Sequence, residues 1–297
     1  MKNWKQVIIC IITIIIIVYG FVLISCDNDN VKDDPIYKEV LDITKTYNVN
    51  GELSSYTEYE YDSKGNRIKR KNYNAKEELS RYYEYTYDSK GNQIKESSYS
   101  NGVLEYHYIC EYDSIGNQIR DSFYNGNNEL EDYTEYEYNS KGNMINQNSY
   151  NGNGELTFLL KHEYDSYGTL TKTNSYNGNE ELTLYNEFEY DINGNLIKNS
   201  TFAANGYLSQ YYEYEYDSIG NQIKSSLFYS GRLRSYQEFE YHLNKNRTKI
   251  NFYNENLELT AFFEYEYASK GNQTKFSNFQ NGELSYYTIY SYKMIKL

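Results

Sequence analysis

The chain is short of several things at once. Its 297 residues include three Cys, three His, one Trp and one Pro. Cys10 lies inside an apolar leader and Cys26 closes it, so Cys110 is left alone in the body. One thiol forms no internal disulfide, and the fold must stand on packing. Cys110 falls on a strand where most repeats place an aromatic, and it reads as a small buried apolar residue. His107, His162 and His242 fall at unrelated strand positions in different units, so neither a metal cluster nor a catalytic histidine is signalled, and no cofactor is implied. Basic residues are also scarce: 29 Lys and Arg stand against 42 Asp and Glu, a net charge of −13. Losing Lys2 and Lys5 with a leader takes this to −15. That balance argues against a nucleic-acid partner and against direct adhesion to anionic lipid. Nothing in the chain supplies helices to cover the face of a sheet.

What is present is Tyr, forty of them, and a repeat. Tyr61-Asp62-Ser63-Lys64-Gly65-Asn66 returns as Tyr87 to Asn92, Tyr112 to Asn117 and Tyr138 to Asn143, and then with changes from Tyr164, Tyr190, Tyr216, Tyr241 and Tyr267. The turn glycines from Gly65 to Gly220 are 25 or 26 residues apart; Lys245 holds the next place and Gly271 the last. A fixed period of this size marks a repeat architecture. Each unit reads as a hairpin, with turn formers between runs rich in Tyr, Ile and Thr. Pairing Tyr61 with Asn66 sets Glu60 against Arg67, Tyr59 against Ile68 and Glu58 against Lys69. The same register gives Glu84–Lys95, Glu187–Lys198, Glu213–Lys224, Glu238–Lys249 and Glu264–Lys275, and it opposes Lys161 to Lys172.

Alternation then sorts the strands into two faces. One carries Leu53, Tyr59, Tyr61 and their equivalents together with Ile68, Ile94, Ile119, Ile145, Ile197 and Ile223, and reads as packed. The other carries Glu58 and Glu60, the column Tyr56, Tyr82, Tyr133, Tyr185, Tyr211 and Tyr236, and a second aromatic column from Tyr73 to Phe279. A second short turn, Tyr150 to Leu156, links each unit to the next. The fold class expected is therefore all-β: an elongated, curved or spiralling antiparallel meander of about ten repeated β-hairpins. Twenty strands at about 4.8 Å would run on the order of 95 Å.

Residues 1–26 read as a targeting segment. Lys2 and Lys5 precede an apolar run from Val7 to Ile24, and Leu23-Ile24-Ser25-Cys26 resembles a bacterial lipobox, which implies a lipid on Cys26. The alternative is an uncleaved transmembrane helix. Residues 27–39 read as an acidic tether and 40–297 as the repeat array. Acidic residues after the lipid-bearing Cys resemble surface-export signals, whereas an Asp directly after it resembles an inner-membrane retention signal. The outer membrane or cell surface is the favoured address, with the inner membrane open.

Tyr-Asp-x-x-Gly, a polar and an aliphatic residue, an Asn-Gly turn and a return to Tyr-x-Tyr-Asp together resemble the YD or RHS repeat, over roughly residues 40–292. MORN-type hairpin repeats are the second resemblance. The first implies a spiralling strand wall, which in large members forms a shell around a toxin. Here the period is longer, Asn stands where Arg is usual after the turn Gly, and no toxin domain is expected. Catalysis is not signalled either, because pairs such as Glu58 and Glu60 recur in most units. Aromatic rings flanked by carboxylates suit sugars, so the six-Tyr column is a candidate site for a polysaccharide or peptidoglycan; a protein partner is the alternative.

Overall fold

The computed structural model describes residues 36–243 and 245–297. Cys26, the leader and most of the acidic stretch lie outside the described residues. The rest is built from twenty antiparallel strands. The first ten are β1 (Tyr37–Asn48), β2 (Leu53–Tyr61), β3 (Arg67–Asn74), β4 (Leu79–Tyr87), β5 (Gln93–Ser100), β6 (Val103–Tyr112), β7 (Gln118–Asn125), β8 (Leu130–Tyr138), β9 (Met144–Asn151) and β10 (Leu156–Tyr164). The others are β11 (Leu170–Asn177), β12 (Leu182–Tyr190), β13 (Leu196–Ala203), β14 (Leu208–Tyr216), β15 (Gln222–Tyr229), β16 (Arg232–Tyr241), β17 (Arg247–Asn254), β18 (Leu259–Tyr267), β19 (Gln273–Gln280) and β20 (Glu283–Lys296). β1 takes in residues 37–39 of the stretch read as tether.

The nine turns at one end of the wall share one skeleton. Seven of the ten at the other end repeat it, six of them with its chemistry exchanged. The other three, at Asn101-Gly102, Ser230-Gly231 and Asn281-Gly282, are two-residue turns. At Asp62 the backbone N–H donates to the Asn66 carbonyl at 2.9 Å, and Asp62 Oδ1 accepts from the amides of Lys64 and Asn66. The Asn66 side chain donates to Asp62 Oδ2. Gly65, at φ +80°, takes the left-handed conformation the turn requires. At the other end of the wall Asn48 holds the anchor place, accepts from the amides of Asn50 and Glu52, and donates from its own side chain to the Glu52 carboxylate. Acid then amide on one rim becomes amide then acid on the other.

The expected open or spiralling meander is overturned. β1 pairs with β2 on one side and with β20 on the other, so the sheet closes into a twenty-stranded barrel. Strands approach one another only as immediate neighbours around this ring. The hairpin geometry accounts for the closure. Going outward from Glu58, the partners are Lys71 and then Tyr82. Tyr82 lies two residues short of Glu84, the equivalent of Glu58. Every unit adds the same two-residue stagger, and ten units give a shear of twenty for twenty strands. That ratio sets a strand tilt of roughly 35° and a backbone diameter of roughly 35–40 Å. The length expected of a flat ribbon is instead the girth of a ring.

The register also differs from expectation. Asp62–Asn66, not Tyr61–Asn66, closes the turn, and Ile68 forms a bulge between Arg67 and Lys69. Together these slide the pairing so that Tyr61 faces Arg67, Glu60 faces Lys69 and Glu58 faces Lys71. Lys198 likewise faces Glu189 within its hairpin and Glu213 on the next strand. Lys172 sits between Glu163 and Glu187, while Lys161 faces asparagines, so the expected clash of two lysines does not arise.

The alternation into two faces holds, but the face read as packed meets no second layer. It lines the barrel. Its rings are desolvated by their neighbours: Tyr85 is 7% exposed, and burial pushes the Tyr61, Tyr85 and Tyr290 hydroxyls up to about 12. Cys110, on the same face, is pushed up to about 11 by burial first and by Asp121 second. The bulge residues Ile68, Ile119, Ile197 and Ile223 stay more than a third exposed and do not join a core. Buried large apolar side chains among the described residues reduce to Val40, Tyr83, Tyr85, Leu159 and Ile250.

Candidate functional site

The Glu and Tyr face is the outside of the barrel, and the six candidate tyrosines stand on it at one height. They are not separate rings. Each stacks face to face on the aromatic column of the following strand: Tyr56 on Tyr73, Tyr82 on Tyr99, Tyr133 on Tyr150, Tyr185 on Phe202, Tyr211 on Phe228 and Tyr236 on Tyr253. Centroids lie 4.4–4.9 Å apart with planes within 17° of parallel. Direct cross-strand partners come this close when their side chains leave the same face of a pleated pair. Tyr47 with Tyr287 and Phe262 with Phe279 extend the series around the ring.

The second side of most of these rings is covered as well. Lys69 lies 4.5 Å from the Tyr82 centroid, Arg120 3.9 Å from Tyr133, Lys172 4.0 Å from Tyr185, Lys198 4.4 Å from Tyr211 and Lys224 4.9 Å from Tyr236. The same cations pair with carboxylates: Lys69 with Glu84 at 2.9 Å, Arg120 with Glu135 at 3.4 Å and Lys198 with Glu213 at 3.6 Å. A repeating order of carboxylate, cation, ring and ring therefore runs around the outer wall. A cation over a ring contributes about 0.5–1 kcal/mol at an exposed position, so the belt holds itself together unit by unit.

Its outward polar groups are hydroxyls and carboxylates, beside the ring edges. The Tyr73 hydroxyl donates to Glu58 at 3.1 Å, and its proton is held more tightly than usual, first through burial and then through that bond. Glu60 is held below the ordinary carboxylate range by the hydrogen bond from Lys71, against a smaller opposing effect of burial.

Two belt members escaped the sequence reading. His107 takes the ring position in β6 and stacks on Tyr124 at 4.8 Å with planes 1° apart. Burial first, then Lys95, lowers its pKa, which favours the neutral ring. The signal was available, since His107 stands three residues after Leu104 as Tyr56 stands three after Leu53. Leu159 holds the same place in β10 and is buried there, so the series has one aliphatic gap. The other histidines are elsewhere: His162 faces inward, 3.0 Å from the Thr173 hydroxyl, and His242 begins a turn. The candidate residues are thus gathered into one belt, but as stacked pairs rather than open platforms.

The belt also bears on the surroundings of the barrel. Its outward Glu and Lys do not form the apolar band that a lipid-embedded strand barrel presents. Among the described residues no helix is long and apolar enough to cross a membrane.

No protein-family model matches the chain, and no curated protein matches it. Among solved structures it is similar to TcdB2-TccC3 without its hypervariable C-terminal region, at 13% identity and a TM-score of 0.38, over 84% of this chain and 15% of that one. The Photorhabdus luminescens Tc holotoxin pore gives 12% identity and a TM-score of 0.31, over 86% of this chain and 18% of that one. A porin-like protein from Bacteroides uniformis gives 11% and 0.33, over 85% of this chain and 96% of that one. The chain spans less than a fifth of the two toxin chains. Overlap at this level assigns neither a shared activity nor a shared partner.

Proposed function

We propose that the chain is a non-catalytic, lipid-anchored repeat barrel of the bacterial envelope, of YD or RHS type, whose outer belt holds an extended hydroxyl-rich polymer such as a glycan or peptidoglycan. The observation that carries this reading is the belt itself: one constellation of Tyr, Glu and Lys or Arg, outward and at one height, recurring around the ring. A polymer following the wall meets the same groups in unit after unit, and weak contacts add through one chain. Because the ring faces are engaged, the contacts fall to phenol hydroxyls and carboxylates rather than to stacking. The lipobox-like Leu23-Ile24-Ser25-Cys26 supports the address.

The test separates hydrogen bonding from stacking. Protein is mixed with insoluble polysaccharide or peptidoglycan and the retained fraction measured for wild type and for the triple change of Tyr185, Tyr211 and Tyr236 to Phe. The rings and their stacks survive that change, so stacking would leave retention intact. Loss of three hydrogen bonds at about 0.5–1.5 kcal/mol each should lower affinity by on the order of tenfold or more. No retention of the wild type would remove the glycan reading and favour a protein-binding scaffold. The covered ring faces favour one further reading, a spacer whose belt only stiffens the wall. There the triple change to Ser would lower stability and alter no binding.

A further inference from the structure

The rim formed by the Asp-Gly turns carries an unexplained feature. Side chains at the turn tips leave the barrel, and polar residues normally fill such places. Here Ile115, Tyr167, Ile192, Ile219 and Leu243 occupy tips of five of the six consecutive hairpins from β6–β7 to β16–β17, with exposures from 59% to 101%. Side chains this exposed contribute little to the fold, and clustered exposed apolar side chains mark a contact surface. The remaining tips carry Lys64, Lys90, Lys141 and Lys270, so the rim joins an apolar arc, unbroken from Tyr167 to Leu243, to positive charge on either side. Its aspartates are turned back into their own turns, where Asp62, Asp88, Asp113, Asp191 and Asp217 each accept backbone amides. The opposite rim differs in charge and in degree. It also exposes Val49, Val103, Tyr207 and Leu257, at 55–68%, where four of the five Asp-Gly tips reach 79% or more, and its Asn turns add the carboxylates of Glu52, Glu78, Glu129, Glu155, Glu181 and Glu258.

The strand directions say what covers the tips. β1 starts and β20 ends at the Asp-Gly rim, where Tyr37 pairs with Lys296. The sequence ahead of β1, with Cys26 and the apolar run before it, therefore joins the barrel at this rim and not at the other. Nine residues, 27–35, reach at most about 30 Å, less than the barrel's diameter. We propose that the Asp-Gly rim rests on a lipid bilayer, with the five apolar tips in the interfacial layer and the lysine tips against headgroup phosphates, so that the barrel stands upright on its membrane. This deepens the envelope reading. It also moves the place of contact from net charge, which opposes anionic lipid, to one rim where the local chemistry favours it.

Trp4 is the sole Trp of the chain, so a reporter is simple to place. Full-length protein carrying Trp4→Phe and either Ile192→Trp or Tyr207→Trp, an exposed position on the opposite rim, is reconstituted in phosphatidylethanolamine–phosphatidylglycerol vesicles with brominated acyl chains. Contact depth is read as quenching of Trp emission, with circular dichroism confirming strand content and Leu243→Trp as a second reporter on the same rim. Docking predicts quenching of roughly twofold or more at 192 and 243 and none at 207. Equal quenching on both rims, or none at 192 and 243, overturns it. Labelled palmitate scores the anchor separately. Palmitate on the protein without quenching at 192 rejects the docking and keeps the anchor, whereas quenching without palmitate supports the docking and rejects the anchor.

Discussion

Nine hairpins of the barrel are joined by a turn at the Asp-Gly rim, and one is not. The tenth is assembled from the two ends of the described chain. β20 supplies its first strand and β1 its second, so that Tyr287 and Tyr47 stack as Tyr56 and Tyr73 do. The two kinds of hairpin differ in how they are held. In β2–β3 a five-residue turn does the joining and seven residue pairs follow. Between β1 and β20 there is no turn, and eleven pairs take its place. Asp42, at the bulge where the other units have Ile or Thr, forms an ion pair with Lys293 at 2.7 Å, and Val40 is one of the few large apolar side chains buried among the described residues. Side chains also reach past the seam: Lys38 to the carbonyl of Gly65 and Asn272 to Glu39. The comparison teaches that closing a ring without a covalent turn is compensated by strand length and by contacts that a hairpin can do without.

The strongest way to break the comparison is to remove one strand against removing two. Deleting residues 283–297 takes away β20 and leaves nineteen strands. β1 and β19 then run parallel, and the antiparallel ring has no closing pair. Deleting Gly116 to Lys141 joins Ile115 to Gly142 and removes one full period. Nine units keep the two-residue stagger each, so shear and strand number fall together and the tilt is unchanged. The first variant should aggregate through its exposed edges, and the second should remain soluble with a smaller hydrodynamic radius. Sedimentation and circular dichroism check both, and aggregation of the two alike would contradict independent units.

Within the seam, Val40→Ala should cost roughly 1–2 kcal/mol in a urea titration, from lost burial and the space left behind. An internal hairpin offers the converse. Lys245 holds a φ of +68° where other units have Gly, and His242 stands in place of the anchoring Asp. Lys245→Gly should therefore raise stability by about 1 kcal/mol. Equal and opposite shifts of similar size would show that seam and hairpin contribute to one cooperative ring.

Much of this wall was legible in the sequence, and the reasons are local. Both turns, the strands and the two-face alternation follow from residues within a dozen positions of each other, and the period from setting each unit beside the next, 25 or 26 residues on. Closure was not legible. It depends on Thr46 meeting Thr288 at 3.0 Å, a pairing 242 residues apart that results from a small stagger accumulated ten times. The hairpin register failed for a related reason. A bulge at Ile68 leaves no mark in an alternating pattern, yet it moves every downstream pair. The belt was visible as aromatic columns, but which column faces which depends on that same register, so the stacking of Tyr185 on Phe202 and the cover of Lys172 were hidden with it.

The smallest effect concerns acid, and it separates turns that titrate from those that do not. The carboxyls of Asp62, Asp88, Asp113 and Asp217 feel partial desolvation, which pushes upward, but the hydrogen bonds they accept from backbone amides and Asn side chains outweigh it and hold them below the ordinary value. At Asp165 the backbone bond from Thr169 is the largest influence, and at Asp191 the bond from the Asn195 side chain, with the same result. A carboxyl lowered by folding stabilises the folded turn at every pH above its unfolded value, about 3.9, and that contribution is lost as pH falls through the lower folded value. The β8–β9 turn is a built-in control, because Asn139 holds the anchor place and accepts from the Asn143 amide without titrating. Between pH 6 and pH 3, hydrogen exchange corrected for its intrinsic pH dependence should show the amides of Asn66, Asn92 and Asn117 losing protection relative to Asn143. Asn139→Asp should bring the control turn into line with the rest. Parallel loss at all of these positions would mean that the ring opens as a whole and that the aspartate clasps add nothing local.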